Sequence, residues 1–180
     1  MPRLFVGLRP PSLVRDGLLD AMTGIENARW QDDDQLHVTL RFVGEVDERR
    51  ADDLADALAA IRVERFDSEI AGSGYFERKG VPSAVWAKVV PDEALSRLQR
   101  RVERACRSVG LEAEGRKFVP HVTMARLNRS SGPIGDFLAQ TAMLRVGPWP
   151  NERFVLFESR LTDHGSEYDE VVHFPLIRVG

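Results

Sequence analysis

The chain contains 180 residues, of which 43% are hydrophobic and 29% are charged, with a single cysteine and a formal net charge of -3. This composition is typical of a globular protein, and it excludes a disordered chain, an intramolecular disulfide framework and a cysteine-based zinc cluster. The slight acidic balance argues against a protein that coats long nucleic acid through its overall charge, although it leaves room for a local basic pocket.

The first half of the chain is predicted to alternate strands with helices. Strand-like runs cover residues 3–8, 36–43 and 66–70, and helix-like runs begin at residues 11–12 and span residues 48–61. Residues 72–82 are rich in glycine and end in a proline, which predicts a long turn that carries Tyr75 and Phe76.

The second half continues the alternation of strands and helices. Strand-like runs cover residues 84–90, 119–127, 143–146, 154–157 and 171–176, and helix-like runs lie between Pro91 and Gly110 and over residues 132–139. A polar loop that contains Asp163 and Asp169 is expected between the last two strands. The pattern indicates an α/β or α+β fold, and because no linker rich in Pro, Gly and Ser interrupts it, residues 1–180 are expected to form one domain.

No stretch of the sequence predicts a membrane segment. The N-terminal apolar run is interrupted by Arg9, Pro10 and Pro11, which leaves it shorter than the core of a signal peptide. No other run approaches the roughly 18 apolar residues of a membrane span. We therefore expect a soluble, cytoplasmic protein without a membrane partner, and a monomer.

A four-residue motif occurs twice. His37-Val38-Thr39-Leu40 recurs as His121-Val122-Thr123-Met124, each time inside a strand-like run. Because side chains alternate between the two faces of a strand, the His and Thr of each copy point to the same side and the apolar residues to the other. The repeat suggests two related α/β lobes, and a pseudo-two-fold arrangement of the lobes would bring both His–Thr pairs to one cleft.

Two imidazoles and two hydroxyls around one cleft suit phosphate chemistry. The threonine hydroxyls can donate hydrogen bonds to phosphate oxygens. Histidine has an ordinary pKa of about 6.5, so one imidazole can accept a proton from water while the other donates one to the departing oxygen.

Other interpretations of these residues stay open at this point. A lone histidine in a strand is usually structural, but two copies in one HxT frame favour a functional pair. A zinc site built from His37, His121 and a distant aspartate lacks the closely spaced ligand pair that is usual in zinc enzymes. Neither His164 nor His173 has a comparable partner, and Cys106 is expected to lie in the core.

The chain resembles the two-histidine phosphoesterase superfamily, and within it the LigT-like RNA 2′,3′-cyclic phosphodiesterases, also called 2′-5′ RNA ligases. The segments that carry the resemblance are RLFVGLRPP, Trp30 followed by LHVTLRFVGEV, GYFERKGVPSAVWAKV, FVPHVTMAR and SRLTDHGSEYDEVVHFPL. The resemblance implies a bilobal α+β fold, with mainly antiparallel sheets lining a central cleft and helices outside. Met124 stands where the family usually has leucine, a conservative change on the core-facing side.

The resemblance also implies an activity and a set of site residues. The activity is hydrolysis of a 2′,3′-cyclic phosphate on RNA or a nucleotide to a 2′-phosphate, with no metal and no cofactor. His37 and His121 would be catalytic, the first protonating the departing 3′ oxygen and the second activating water. Thr39 and Thr123 would bind the phosphate.

Two arginines are further candidates for binding the phosphate. Arg126 ends the second family signature, but simple alternation places it on the face opposite His121 unless the strand bulges. Arg41 has the parity to share the face of His37. The base of an RNA end could stack on aromatic rings, for which the sequence offers Trp30, Tyr75, Phe76 and Trp86.

Two alternatives to hydrolysis accompany this interpretation. One is a module that binds RNA or nucleotide phosphate without turnover. The other is a reversible 2′-5′ RNA ligase, because the same acid–base pair serves both directions of the reaction. Substrates compatible with the sequence include tRNA fragments, short oligonucleotides and cyclic mononucleotides.

Overall fold

The computed structural model describes residues 1–179, and this part of the chain contains nine strands and four α-helices. The strands are β1 (Arg3–Leu8), β2 (Arg29–Trp30), β3 (Val38–Glu45), β4 (Phe66–Arg78), β5 (Val81–Val89), β6 (His121–Arg126), β7 (Arg145–Asn151), β8 (Arg153–Thr162) and β9 (Gly165–Pro175). The helices are α1 (Ser12–Asp20), α2 (Glu48–Ala59), α3 (Glu93–Ser108) and α4 (Gly135–Thr141), with a short 3₁₀ turn at Asp33–Gln35.

The strands form one antiparallel sheet with the order β7-β4-β5-β6-β3-β1-β8-β9, and β2 pairs with β6 beside this path. The sheet therefore divides into two half-sheets of four strands, β3-β1-β8-β9 and β6-β5-β4-β7. Strands β3 and β6 meet at a single pair of residues, Val38 and Val122. The expected α+β class and mainly antiparallel sheets are confirmed, and each HxT motif lies on the innermost strand of its half-sheet.

Helices α2 and α3 cover the face of the sheet that is turned toward the core. Asp92 caps α3 by accepting hydrogen bonds from the backbone N–H groups of Ala94 and Leu95. Below the cap, α3 buries a stripe at helical spacing, formed by Leu95, Leu98, Val102, Ala105 and Cys106. No helix within residues 1–179 has the length and apolar character needed to cross a membrane.

The segment predicted as a long turn is a β-hairpin, so that prediction is wrong. Strand β4 ends at Arg78 and strand β5 begins at Val81, so the reversal itself consists of Lys79 and Gly80. Both turn residues have positive φ, as a two-residue hairpin turn with the right twist requires. Gly74 lies inside the strand because the Trp86 ring covers it, and a Cβ there would come within 2.4 Å of that ring.

The polar loop predicted near the C-terminus is also part of a hairpin. Residues 165–169 pair with residues 158–162, so that β8 and β9 run to a tight turn at Asp163 and His164. The prediction failed because these strands are largely exposed near their tip, and polar side chains there carry no apolar alternation.

Candidate active site

A cavity of about 970 Å³ is lined by residues from both half-sheets. His37, Thr39, His121 and Thr123 all face it. His37 immediately precedes β3, which contains Thr39, and His121 and Thr123 lie in the first half of β6. The structure thus brings the four residues that the repeat singles out to one site.

Each HxT motif is followed by a β-bulge. On β3, Val6 of the neighbouring strand faces Arg41 while Gly7 faces Thr39, which leaves Leu40 as the extra residue. On β6, the neighbouring strand pairs with Ala125 and Thr123 at consecutive positions, which leaves Met124 as the extra residue. The two bulges occupy the same position relative to their histidines, so the repeat extends to backbone geometry.

The bulges decide which arginine faces the cavity. After Leu40, the strand turns Arg41 away from the cleft and brings Phe42 to the face of Thr39. After Met124, it turns Ala125 away and brings Arg126 to the face of Thr123. Burial follows the same pattern, since Arg41 is 7% exposed and Phe42 is 51% exposed. The expectation that Arg41 shares the face of His37 is therefore wrong, and the bulge that Arg126 requires is present.

Arg41 touches the wall of the cavity, but its guanidinium is engaged elsewhere. Its Nε lies 2.6 Å from Oε2 of Glu103 on α3, and its two terminal nitrogens donate to the carbonyl oxygens of Phe42 and Glu112. Glu103 also accepts a hydrogen bond from the backbone N–H of Glu114. The side chain of Arg41 thus ties β3 to α3 and to the segment that precedes β6.

The backbone fixes the tautomer of His37. Nδ1 lies 2.7 Å from the carbonyl oxygen of Gln35, and because a carbonyl only accepts, Nδ1 carries the proton. Nε2 is then the unprotonated atom in the neutral ring, and the Thr39 hydroxyl donates to it over 2.9 Å. The ring packs edge-on against Tyr168 at a centroid distance of 5.1 Å and lies 4.7 Å from the ring of Phe5.

His121 is held in the same way by its own half-sheet. Nδ1 donates to the carbonyl oxygen of Val119 over 2.6 Å, which again leaves Nε2 as the basic atom. Phe76 packs edge-on against the ring at 5.0 Å, and Trp86 lies 5.5 Å away. Both imidazoles thus have one nitrogen fixed by backbone and flanks covered by aromatic rings.

Burial and positive charge lower the pKa of both histidines. Desolvation lowers the pKa of His37 to about 4, with further lowering by the charges of His121, Arg126 and Arg9, against a hydrogen bond to Gln35 that raises it. Desolvation also lowers the pKa of His121, and Arg126 lowers it further. An anion in the cavity would offset the positive charge and raise the pKa of both rings.

The remaining aromatic candidates occupy different environments. Phe76 lines the cavity, and Trp86 packs behind it against His121. Trp30 packs against Phe137 in the core, 5.7 Å between ring centroids, and Tyr75 is 45% exposed. Sequence reasoning missed Phe5 and Tyr168, which flank His37, because no local pattern links strands β1 and β9 to the HxT motif.

The other two histidines and the cysteine lie outside the cavity. His164 and His173 lie on the β8–β9 hairpin and do not line the cavity, and His173 contacts Glu170 at 3.3 Å. Cys106 is buried on α3, where desolvation raises the pKa of its thiol to about 11. Across the part of the chain that the structure describes, no three His, Cys, Asp or Glu side chains are grouped so as to hold a metal ion.

Comparison with known proteins places the chain in a family. A model of the 2′-5′ RNA ligase superfamily matches residues 11–163. The RNA 2′,3′-cyclic phosphodiesterase of Aeropyrum pernix is 36% identical over 158 residues, which cover 86% of this chain and 88% of that protein. The protein of the same name from Thermotoga maritima is 36% identical over 148 residues, covering 78% of this chain and 75% of the relative.

Solved structures share the fold. The Thermus thermophilus protein TT0787 superposes with a TM-score of 0.80 at 28% identity, covering 97% of each chain. Escherichia coli LigT, solved in complex with 3′-AMP, superposes with a TM-score of 0.78 at 21% identity, covering 98% of this chain and 99% of LigT. With the paired HxT strands on one cleft and these matches along most of its length, the chain belongs to the 2′-5′ RNA ligase superfamily.

Proposed function

We propose that the protein is an RNA 2′,3′-cyclic phosphodiesterase that uses His37 and His121 as its catalytic pair. The observation that carries the proposal is the matched presentation of two imidazoles to one cavity, each with Nδ1 bonded to a backbone carbonyl and Nε2 left for chemistry. The names of the relatives from Aeropyrum pernix and Thermotoga maritima support the same activity.

The phosphate would bind among three groups on the two inner strands. The hydroxyls of Thr39 and Thr123 face the cavity from equivalent positions and can donate to the non-bridging oxygens. Arg126 would neutralise the anion, because its bulge returns it to the face of Thr123. The proposal gives Arg41 no contact with phosphate, since the donors of its guanidinium are already bonded to Glu103 and to backbone carbonyls.

The reaction needs one proton accepted and one proton donated. Nε2 of neutral His121 takes a proton from a water molecule, whose oxygen attacks the phosphorus of the cyclic phosphate. The bond from phosphorus to the 3′ oxygen breaks, and Nε2 of protonated His37 gives its proton to that oxygen. The products are a 2′-phosphate and a free 3′-hydroxyl, and solvent restores both histidines to their starting states.

Binding of the anion prepares His37 for its role as acid. In the free protein its pKa of about 4 keeps it neutral at neutral pH, with the Thr39 hydroxyl donating to Nε2. A bound phosphate favours the protonated ring by adding a negative charge next to it. Once Nε2 is protonated it no longer accepts from Thr39, which frees that hydroxyl to donate to the phosphate. Substrate binding and protonation of the acid are thereby coupled.

The test is product analysis on a short RNA that ends in a 2′,3′-cyclic phosphate, with and without excess chelator. We expect hydrolysis to a 2′-phosphate at equal rates in both conditions. A 3′-phosphate product contradicts the proposed direction of cleavage. Activity that chelator abolishes and zinc restores identifies a metalloenzyme instead.

Two further outcomes separate the alternatives. Binding of the RNA without any product over a long incubation would identify a phosphate-binding module. Joining of RNA ends in the presence of a 5′-hydroxyl partner would identify a 2′-5′ RNA ligase, in which that hydroxyl replaces water as the nucleophile, gives its proton to His121 and displaces the same 3′ oxygen. Hydrolysis is the expected outcome in dilute solution, where water is in large excess over RNA ends.

A further inference from the structure

Two arginines face each other across neighbouring strands at the cavity. Arg29 on β2 is the direct antiparallel partner of Arg126 on β6, so their side chains leave the sheet on the same face. Both residues line the cavity, and both are exposed to solvent.

This pairing is unfavourable in the free protein. Like charges directly opposite each other in a sheet destabilise it. Within residues 1–179, neither guanidinium lies within ion-pair distance of a carboxylate. Arg9, Arg15 and Arg41, in contrast, each have a carboxylate partner. Two adjacent cations without a counter-charge are the arrangement expected where an anionic ligand supplies that charge.

Arg29 lines the cavity between β6, with which its strand pairs, and the β8–β9 hairpin. A Cβ on Gly165 would come within 3.2 Å of Nη2 of Arg29, so the guanidinium lies against the turn of the β8–β9 hairpin. Next to this contact, the side chain of Gln35 donates to the carbonyl oxygen of Ser166 over 2.8 Å. The 29–35 segment thus joins the hairpin tip to the strand that carries Arg126.

We propose that Arg29 binds the internucleotide phosphate on the 5′ side of the terminal nucleotide, and that the enzyme thereby selects RNA chains over cyclic mononucleotides. This inference rests on the proposed function, because it assumes that the reacting phosphate occupies the site between the two HxT motifs. Arg126 lies between that site and Arg29 in the sheet, and a nucleic acid strand supplies a second phosphate one nucleotide away. The cavity volume of about 970 Å³ is at the upper end of the range for small-molecule sites, which leaves room for more than one nucleotide.

The test compares three substrates, each ending in a uridine 2′,3′-cyclic phosphate. The first is the mononucleoside with a free 5′-hydroxyl, the second is the dinucleotide with an ordinary linkage, and the third is the dinucleotide with a neutral methylphosphonate linkage. For each enzyme variant, the measured quantity is the ratio of kcat/KM on a dinucleotide to kcat/KM on the mononucleoside.

For the wild type we expect a ratio well above one with the charged linkage and a much lower ratio with the neutral linkage. Arg29→Ala should lower the ratio for the charged linkage by about 10- to 100-fold, as expected for the loss of a charged hydrogen bond. The same substitution should leave the ratio for the neutral linkage unchanged. Arg29→Lys should recover part of the loss, because it restores the charge without the fork of donors.

Two controls distinguish a binding role from a structural one. Arg104→Ala, on the exposed side of α3 and away from the cavity, should leave every ratio unchanged. Arg29→Ala should keep or raise the melting temperature, because it relieves the repulsion from Arg126. A fall in melting temperature with an unchanged ratio would overturn the inference in favour of a structural role.

The same measurements distinguish a failure of the role proposed for Arg29 from a failure of the proposed function. If the wild type hydrolyses the mononucleoside and the dinucleotide with equal kcat/KM, the phosphodiesterase stands and the role of Arg29 is overturned. If Arg29→Ala lowers kcat/KM on both substrates by the same factor, Arg29 acts at the reacting phosphate, and the inference is again overturned. If the wild type hydrolyses none of the three substrates, the proposed function itself is contradicted.

Discussion

Phe42 and Arg126 occupy equivalent positions in the two half-sheets, each as the first side chain to return to the cavity face after a bulge. The scaffold is thus nearly symmetric while its charge is not, since one inner strand presents an aromatic ring and the other a guanidinium. Arg126 lowers the pKa of both His37 and His121, so a single cation acts on both imidazoles. The two halves of the cavity therefore differ in charge although their backbones are alike.

Loss of either imidazole should abolish most of the activity. We expect His37→Ala and His121→Ala each to lower kcat/KM on a cyclic-phosphate RNA by about 10²- to 10⁴-fold, the usual contribution of a general acid or base. His173→Ala is the matched control, because this histidine is exposed on β9 and outside the cavity. Full activity in both single variants would contradict the proposed mechanism.

Substitution of Arg41 should mainly lower stability, and substitution of Arg126 should mainly lower activity. Arg41→Met leaves Glu103 without its ion-pair partner, and we expect it to lower the free energy of unfolding by about 2–3 kcal/mol. Arg126→Gln removes an exposed cation from the cavity, and we expect a loss of kcat/KM at least about tenfold greater than that of Arg41→Met, with little change in stability. Denaturant titrations and steady-state kinetics on the same preparations measure both effects. The reverse pattern would restore Arg41 as a phosphate ligand.

The pH dependence of kcat/KM should reflect the low pKa of both histidines. Because kcat/KM reports the free enzyme, we expect a bell centred below pH 6.5. Arg126→Gln removes a positive charge that lowers both pKa values, so the bell should move to higher pH while its maximum falls. Arg104→Gln should leave the position of the bell unchanged. A shift of the Arg126→Gln profile to lower pH would contradict the charge assignment.

His37 should also make the fold sensitive to acid. Above pH 6.5 the imidazole is neutral in both the folded and the unfolded state, so its contribution to stability does not change with pH. As the pH falls below 6.5 the unfolded chain binds a proton that the folded chain, with a pKa of about 4, does not bind. The free energy of unfolding should therefore fall by about 2 kcal/mol between pH 7 and pH 5 on account of this residue.

The contribution of His37 is isolated by comparison with a variant. Denaturant titrations of the wild type and His37→Asn at pH 7 and pH 5 should show a smaller loss of stability in the variant. His173→Asn serves as the control for removal of an exposed imidazole. Equal losses in the wild type and in His37→Asn would show that the His37 ring is not kept neutral by the fold.

The sequence predicts correctly that the two HxT motifs face one cavity, because His and Thr are two residues apart and strict strand alternation holds over that distance. It fails to rank Arg41 and Arg126, since a bulge one residue after each threonine reverses the parity of everything beyond it. Nothing in LRF or MAR marks the bulge. The aromatic rings around His37 come from strands far apart in the chain, so no local pattern links them to the motif.

The glycine-rich segment near residue 74 shows a second reason for failure. Gly74 is typical of a turn in isolation, but here it makes room for the Trp86 ring that lies against His121. Whether a glycine reverses the chain or admits a neighbour depends on a strand that the local sequence does not contain.

Strands β3 and β6 pair at Val38 and Val122 alone, and this pairing has a consequence for the spacing of the two imidazoles. Each valine is the immediate neighbour in sequence of a histidine of an HxT motif, so the two strands meet beside both His37 and His121. Each ring is also fixed by a backbone carbonyl two residues before it. A substitution that shifts the register of this one valine pair would therefore move the two imidazoles relative to each other, even though it changes no residue of the cavity.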